Sequence, residues 1–136
     1  MTGERRRARA LALKVLYEVN SVGHEVEGVV TRLLEEEGLS GGNAFFAQEL
    51  VSGVIRNKET IDLNIRNLAS AWPMEQIPMV DRNILRLAIF EILLDNKVPV
   101  KAVINEAVEL AKKFGSDNSP KFVNGVLGSV STLANR

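Results

Sequence analysis

The sequence has no cysteine and only one histidine, His24, among its 136 residues. Without cysteine the chain can form neither disulfide bonds nor thiolate metal sites. A catalytic triad with histidine as its base would have only His24 available, and a lone histidine beside Glu25 is more typical of a surface position. We therefore expect no metal, no cofactor and no catalytic residue.

Long apolar segments are also missing. The most apolar run, from Leu87 to Leu94, is interrupted by Glu91 and is too short to span a bilayer. Lys14 and Glu18 interrupt the apolar residues that follow the basic N-terminal segment, and no small-residue cleavage site comes after them. We therefore expect a cytoplasmic protein that does not associate with a membrane.

Net charge is the third thing that the sequence lacks. Its 17 Lys and Arg residues balance 17 Asp and Glu residues, so the whole chain has no bulk attraction for nucleic acid. The first fourteen residues are an exception, because they contain five cations and one acid, a local charge of +4. Binding of nucleic acid would have to come from a local surface of this kind.

Apolar residues recur with the period of an α-helix along the chain, and no segment alternates with the period of two that is typical of a strand. The pattern predicts helices over 4–21, 25–37, 43 to about 71 with a break near 57–58, 79–95, 99–114 and from 119 onward. Gly38 is expected to end the second helix, and Ser119 to cap the last one before Pro120. The segment 79–95 is apolar around most of its circumference, which indicates a central, buried helix.

Four arginines lie within five residues in the first predicted helix: Arg5, Arg6, Arg7 and Arg9. On a helical wheel these cations point away from the apolar stripe. A solvated face is the usual meaning of such a run. Neighbouring cations at a helix N-terminus, however, repel one another and are disfavoured by the helix dipole unless an anion relieves them. This cost favours a phosphate-binding face.

Two further features have both a functional and a structural explanation. Leu13 and Tyr17 fall outside the apolar stripe of the first helix, where they would form a partner contact or be covered by another helix of the domain. Lys121 and Phe122 lie in the first turn of the last helix, whose free amides attract anions. Phe122 there would be either a stacking platform for an unpaired base or a residue at the core edge.

Enzyme signatures are absent from the sequence. There is no P-loop or dinucleotide-binding fingerprint, and the glycines of 38–42 are not followed by Lys and Ser or Thr. Glu106 and Glu109 share a face of one predicted helix, but Glu pairs at this spacing are common surface features. Gly125 and Gly128 on the outer face of the last helix lower its stability, so they indicate close packing or a ligand there.

These segments together resemble the bacterial NusB family of transcription antitermination factors. The resemblance runs from Arg5 to about Leu127 and depends on the order and spacing of several short segments. They are Arg5–Arg9 with Leu16–Tyr17, Ile61–Asp62, Trp72, Asp81–Ala88, Val98–Pro99, Ile104–Lys112 and Lys121–Leu127.

The resemblance implies an all-α fold of about seven helices in two packed subdomains, roughly 1–71 and 72–136, around a long central helix. It also implies binding to the boxA sequence of nascent ribosomal RNA, as a heterodimer with NusE (ribosomal small-subunit protein S-ten), within an RNA polymerase antitermination complex. The implied RNA-binding residues are Arg5, Arg6, Arg7, Arg9, Asn118, Lys121 and Phe122. The implied NusE-binding residues are Tyr17, Glu75 and Asp81.

Alternatives to this assignment remain. The same fold occurs as the N-terminal domain of a ribosomal-RNA cytosine methyltransferase, but we expect no such enzyme because the sequence ends soon after the last predicted helix. A helical adaptor that binds only proteins is a third class, which RNA titration would separate from the first. Whether the chain forms a homodimer in the absence of NusE stays open.

Overall fold

The computed structural model describes residues 3–134. Seven α-helices and no strand occur in that range, which confirms the all-α prediction. The helices are α1 (Gly3–Val22), α2 (Val26–Glu37), α3 (Gly41–Arg56), α4 (Lys58–Leu68), α5 (Met79–Ile89), α6 (Val100–Phe114) and α7 (Ser119–Ser131). None of the helices described there has the length and apolarity needed to cross a membrane.

The predicted helix boundaries are correct at two local signals. Gly38 follows α2 with a φ of 65°, and its backbone N–H donates to the carbonyl oxygens of Glu35 and Leu34. This left-handed conformation is one that glycine adopts without strain. The predicted break falls at Asn57, which separates α3 from α4.

The central helix is also confirmed. Every residue of α5 from Asn83 to Ile89 is buried, and α5 packs against α1, α3, α4, α6 and α7. The predicted helix 79–95 is not regular to its end, however, because a π-helical segment, Phe90–Asp95, follows Ile89 and ends at Asn96 with a φ of 60°. The division into subdomains near residue 71 stays a prediction.

The start of α7 differs by one residue from the prediction. Asn118 occupies the capping position that was expected for Ser119, and Ser119 is the first helical residue. The Ser119 hydroxyl is buried and donates to Asp81 Oδ1 at 2.6 Å, while it accepts from the Ser116 N–H at 2.9 Å. The hydroxyl therefore ties α7 to α5 and to the preceding loop instead of capping the α7 amides.

Gly53 in α3 gives a test of the packing between α3 and the π-helical segment. A Cβ atom at Gly53 would lie 2.2 Å from Cζ of Phe90, whose ring fills that space. We expect Gly53→Ala to lower the free energy of unfolding in urea by about 1–3 kcal/mol, the usual cost of overpacking a core.

The matched control is Gly128→Ala on the exposed face of α7, where no described atom lies within 4 Å of the added Cβ. This change should raise the free energy of unfolding by up to about 1 kcal/mol, since alanine is the better helix former. Equal effects of the two substitutions would contradict the packing of Phe90 on Gly53.

Candidate nucleic-acid interface

Arg6 lies on the surface and is held by a carboxylate of α6. Its Nε and Nη2 atoms donate to the two carboxylate oxygens of Glu106 at 2.9 and 2.8 Å. The Arg6 side chain is 55% exposed, whereas that of Glu106 is only 6% exposed. The hydrogen bond from Arg6 lowers the pKa of Glu106 and raises the pKa of Arg6 above its usual value. Glu106 is therefore not the ordinary surface residue that the sequence indicates.

Arg5 and Arg7 also have partners within the protein. The Arg7 guanidinium donates to Glu4 Oε1 at 3.1 Å and to the backbone carbonyl of Glu37. Arg5 donates to the carbonyl of Gly42 at 3.2 Å, and its guanidinium carbon lies 4.3 Å from the centroid of the Phe46 ring. The protein itself thus relieves part of the repulsion between the arginines, and an anion is not the only way to do so.

Arg9 does not belong to the exposed group, so its expected position on the solvent side is wrong. Its side chain is buried, and Nε and Nη2 donate to the two carboxylate oxygens of Glu91, both at 2.8 Å. The Glu91 carboxylate is equally buried in the π-helical segment. Arg9 lies at the edge of the apolar stripe, and a buried carboxylate across from it lets the guanidinium enter the core.

A basic cleft runs between α1 and the end of α6. Its lining contains five cations, Arg6, Arg7, Lys14, Lys112 and Lys113, and three acids, Glu37, Glu106 and Glu109. Lys14 pairs with Glu37 at 2.9 Å and Lys112 with Glu109 at 3.3 Å, both at the surface. Surface pairs of this kind contribute little to stability, so these cations can exchange partners at small cost. The sequence analysis missed both lysines of α6, because cations in the last turn of a helix are already explained by the helix dipole.

The start of α7 presents a second polar surface. Asn118 and Lys121 are exposed there, and within residues 3–134 neither the Asn118 amide nor the Lys121 ammonium group has a hydrogen-bond or ion-pair partner. Phe122 is half-buried: it packs against the core and also lines a cleft. Phe122 is therefore a residue at the core edge, and its role as a stacking platform stays a prediction.

The other side of that cleft is formed by the end of α4 and the residues after it. Its lining residues are Leu68, Ala69, Ser70, Ala71 and Trp72, which face Lys121, Phe122, Gly125 and Val126. No described atom lies within 4 Å of the Cβ that Gly125 or Gly128 would carry as alanine. Close packing therefore does not explain these glycines within the described part of the chain, and a ligand beside Gly125 stays a prediction.

Of the residues implied for NusE binding, Tyr17 and Glu75 are exposed, and Asp81 is not. The Tyr17 side chain is 44% exposed, as expected, and lines a shallow apolar groove with Val22, Val80 and Phe114. Leu13 lies under this groove and is buried, so of the two explanations offered for it the one that holds is cover by the rest of the domain. Glu75 is exposed in a 3-10 turn before α5.

Asp81 is buried, unlike the other two residues implied for NusE binding, and its own part in partner binding stays a prediction. Only 4% of the residue is exposed, and Oδ1 accepts the hydroxyl hydrogen of Ser119. Asp81 lies in the first turn of α5, where the dipole favours an acid. Its structural role is to hold the start of α7 against α5.

No metal site is evident in the described part of the chain. Residues 3–134 contain no group of three or more His, Asp or Glu side chains that could hold a metal ion. What the geometry offers is a set of exposed cations on α1 and α6, an unpaired cation and amide on α7, and aromatic rings beside them. The fold and this surface define an all-helical protein whose exposed groups suit an anionic, partly aromatic ligand.

Comparison with known proteins identifies the family. The NusB family model matches residues 6–132, and the chain belongs to the NusB family. It is 53% identical over 131 residues to the transcription antitermination protein NusB of Dehalococcoides mccartyi (strain ATCC BAA-2266 / KCTC 15142 / 195), covering 96% of this chain and 92% of the relative. Identity to the protein of that name in Chloroflexus aggregans is 48%, covering 97% and 89%. The resemblance inferred from sequence is thus confirmed.

Solved structures agree in fold over the whole chain. NusB of T. maritima superposes with a TM-score of 0.90 at 31% identity, covering 100% of this chain and 96% of that one. A NusB chain from a crystal structure of the antitermination factors NusB and NusE in complex with dsRNA gives a TM-score of 0.88 at 29% identity, covering 98% and 99%. These matches confirm the predicted fold class.

The buried position of Arg9 leads to a stability test. Arg9→Met leaves the Glu91 carboxylate buried without its bidentate partner, and we expect a loss of about 3–5 kcal/mol in the free energy of unfolding. The double variant Arg9→Met/Glu91→Leu should recover most of that loss, because it removes both charges. Arg7→Gln, at an exposed arginine, serves as the control and should change stability little. A single variant as stable as the wild type would contradict the buried pair.

The Arg6–Glu106 pair leads to a test by pH. Because the folded protein holds the pKa of Glu106 below its unfolded value of about 4.3, the pair stabilises the fold above that pH and the contribution is lost as pH falls through the folded pKa. We expect Glu106→Gln to flatten the fall of the urea midpoint as pH falls below the unfolded pKa of about 4.3. Arg6→Gln should flatten it similarly, and the double variant should add little. Parallel curves for Glu106→Gln and the wild type would contradict the pair.

Proposed function

We propose that this protein is a transcription antitermination factor that binds boxA RNA of nascent ribosomal transcripts together with NusE, within an RNA polymerase antitermination complex. The observation that carries the proposal is the pair of exposed polar surfaces, at the starts of α1 and α7, on a NusB fold. It is supported by the NusB relative that was crystallised with NusE and dsRNA and that matches 98% of this chain.

The proposed RNA-binding residues fall into two groups, which differ in whether another group of the protein already bonds them. Arg5, Arg6 and Arg7 are already oriented by acceptors of the protein, and a phosphate would compete for them. Asn118 and Lys121 have no such competitor in the described part of the chain. We assign the stronger share of phosphate contact to Lys121 and a supporting role beneath the surface to Arg9.

Lys112 and Lys113 extend this surface in our proposal. They face Arg6 and Arg7 across the basic cleft, and they precede Asn118 by only a few residues along the chain. A strand of RNA that follows the cleft would therefore meet cations at intervals from α1 to α7. The positively charged track compensates for a chain whose net charge is zero.

The geometry favours RNA with unpaired bases. Paired RNA is recognised mainly by the shape of its backbone, whereas unpaired bases stack on aromatic side chains. Phe122 lines an open cleft beside Lys121, so an aromatic ring and a cation are adjacent there. This is the combination that single strands use.

For NusE we propose the apolar groove around Tyr17 as the binding surface, with Glu75 as a further contact. Tyr17 is exposed within an apolar setting, which is typical of interface residues. Asp81 would contribute indirectly, because it holds the start of α7 through Ser119.

The other assignments follow from the same proposal. A factor of this kind acts on transcripts in the cytoplasm and needs no catalytic residue. A relative of the methyltransferase domain is the less favoured alternative, since the similar proteins of nearly equal length are antitermination proteins. An adaptor that binds only proteins would leave Asn118 and Lys121 unexplained.

Single-cation variants test the RNA surface. Arg7→Gln and Lys121→Gln should each weaken binding of a boxA-like oligonucleotide and reduce the log–log salt slope by about 0.7 per lost phosphate contact. Circular dichroism should show unchanged helical content, because both side chains are exposed. Arg6→Gln leaves Glu106 without its partner, so its binding is compared with that of the double variant Arg6→Gln/Glu106→Gln.

The matched control is Lys58→Gln, an exposed lysine at the start of α4 outside both clefts. It should leave affinity and salt slope unchanged. Titrations use boxA-like and scrambled oligonucleotides, each with and without NusE. Affinities of Arg7→Gln and Lys121→Gln equal to that of Lys58→Gln would contradict the proposed surface, and no binding by the wild type with NusE would contradict the function.

A further inference from the structure

Trp72 is the only tryptophan of the chain, and 53% of it is exposed. It follows α4 and precedes Pro73, and its backbone N–H donates to the carbonyl of Ala69 at 3.0 Å. The backbone of this segment is thus fixed by a turn while the indole faces solvent. A tryptophan normally buries most of its large apolar surface, so this exposure needs an explanation.

The indole lines two adjoining clefts. One is shared with Lys121, Phe122 and Gly125, and the other with Gln76, Ile77, Pro78 and Phe122. Asn118 lines both. Two aromatic side chains from separate parts of the fold therefore line one recess together with a cation and an amide.

The charges around the recess favour an anionic occupant. The cleft that contains Lys121 has no acidic residue in its lining. In the adjoining cleft the acid is Asp81, whose carboxylate already accepts the hydroxyl hydrogen of Ser119. Within the described residues the Lys121 ammonium and the Asn118 amide have no partner, so both are available to a ligand.

We propose that Trp72 is a second stacking platform beside Phe122 and that an unpaired RNA base occupies the recess between them. Lys121 contacts the phosphate of that nucleotide, and the Asn118 amide, which can both donate and accept, bonds the edge of the base. This inference rests on the proposed function and adds a residue to it. The absence of a side chain at Gly125 keeps the recess open at its α7 side.

The single tryptophan gives a direct readout. Its emission, excited where the one tyrosine does not absorb, reports Trp72 alone. Stacking of a base on the indole should quench this emission on titration with boxA-like single-stranded RNA, and a duplex of the same sequence should quench it less. The protein is used as the full chain, with and without NusE.

Three variants separate stacking from a structural role. Trp72→Ala should weaken RNA binding by about 5- to 150-fold, the range that corresponds to one lost base stack, with an unchanged salt slope because no charge is removed. Trp72→Phe keeps a ring and should retain most of the affinity. Leu63→Ala, at an exposed leucine of α4 outside both clefts, should have no effect.

The outcomes are distinguishable from failure of the proposed function. If the wild type binds RNA while its tryptophan emission stays constant and Trp72→Ala binds equally well, the stacking proposal is wrong and the RNA-binding function stands. Weaker binding by Trp72→Ala together with a lower melting temperature and no quenching in the wild type also overturns it, since the role is then structural. Absence of RNA binding by the wild type would instead reject the proposed function.

Discussion

The buried ion pair between Arg9 and Glu91 is the constraint on which the placement of α1 depends. It joins the first helix to the π-helical segment that continues the central helix, and both groups are almost fully withdrawn from water. A shift of α1 by one residue would leave two buried charges unpaired, at a cost of several kcal/mol. Together with the apolar stripe, this cost favours one rotation of α1, in which Arg6 pairs with Glu106 and the Arg5 guanidinium lies over the Phe46 ring.

Two more buried polar contacts connect neighbouring helices to α5. Arg86 donates to both carboxylate oxygens of Asp62, at 2.8 and 3.1 Å, and so ties α5 to α4. Asp81 accepts from Ser119 and so ties α5 to the start of α7. Since α4 leads to Trp72 and α7 begins beside Asn118, these two contacts hold both sides of the aromatic recess to α5. The polar core of the protein therefore positions its candidate binding surface.

The sequence predicts the helices, the glycine stop at Gly38, the break at Asn57 and the buried central helix, because each depends on a local pattern. It does not predict that Arg9 and Asp81 are buried, and it leaves open whether Leu13 is covered. A helical wheel gives the direction of a side chain but not what lies opposite, and the partners of Arg9 and Asp81 are 82 and 38 residues away. Asn118 and Lys121 were found from their place at a helix start and from the family resemblance. Trp72 served only as a family marker, since its exposure is a tertiary property.

The partners of the arginines bear on how a chain without net charge would bind RNA in the proposed function. Ion pairs at the surface contribute little to stability, so a phosphate can replace the carboxylate, but the gain is reduced by the bond that is lost. The preorganised guanidinium groups would therefore orient the RNA on the protein more than they would raise its affinity. Stacking in the recess between Trp72 and Phe122 is less sensitive to salt and would supply affinity that the charges do not. The rest of the affinity would have to come from a larger RNA-binding surface. The exposed apolar groove at Tyr17 is where a partner that extends this surface would bind the protein.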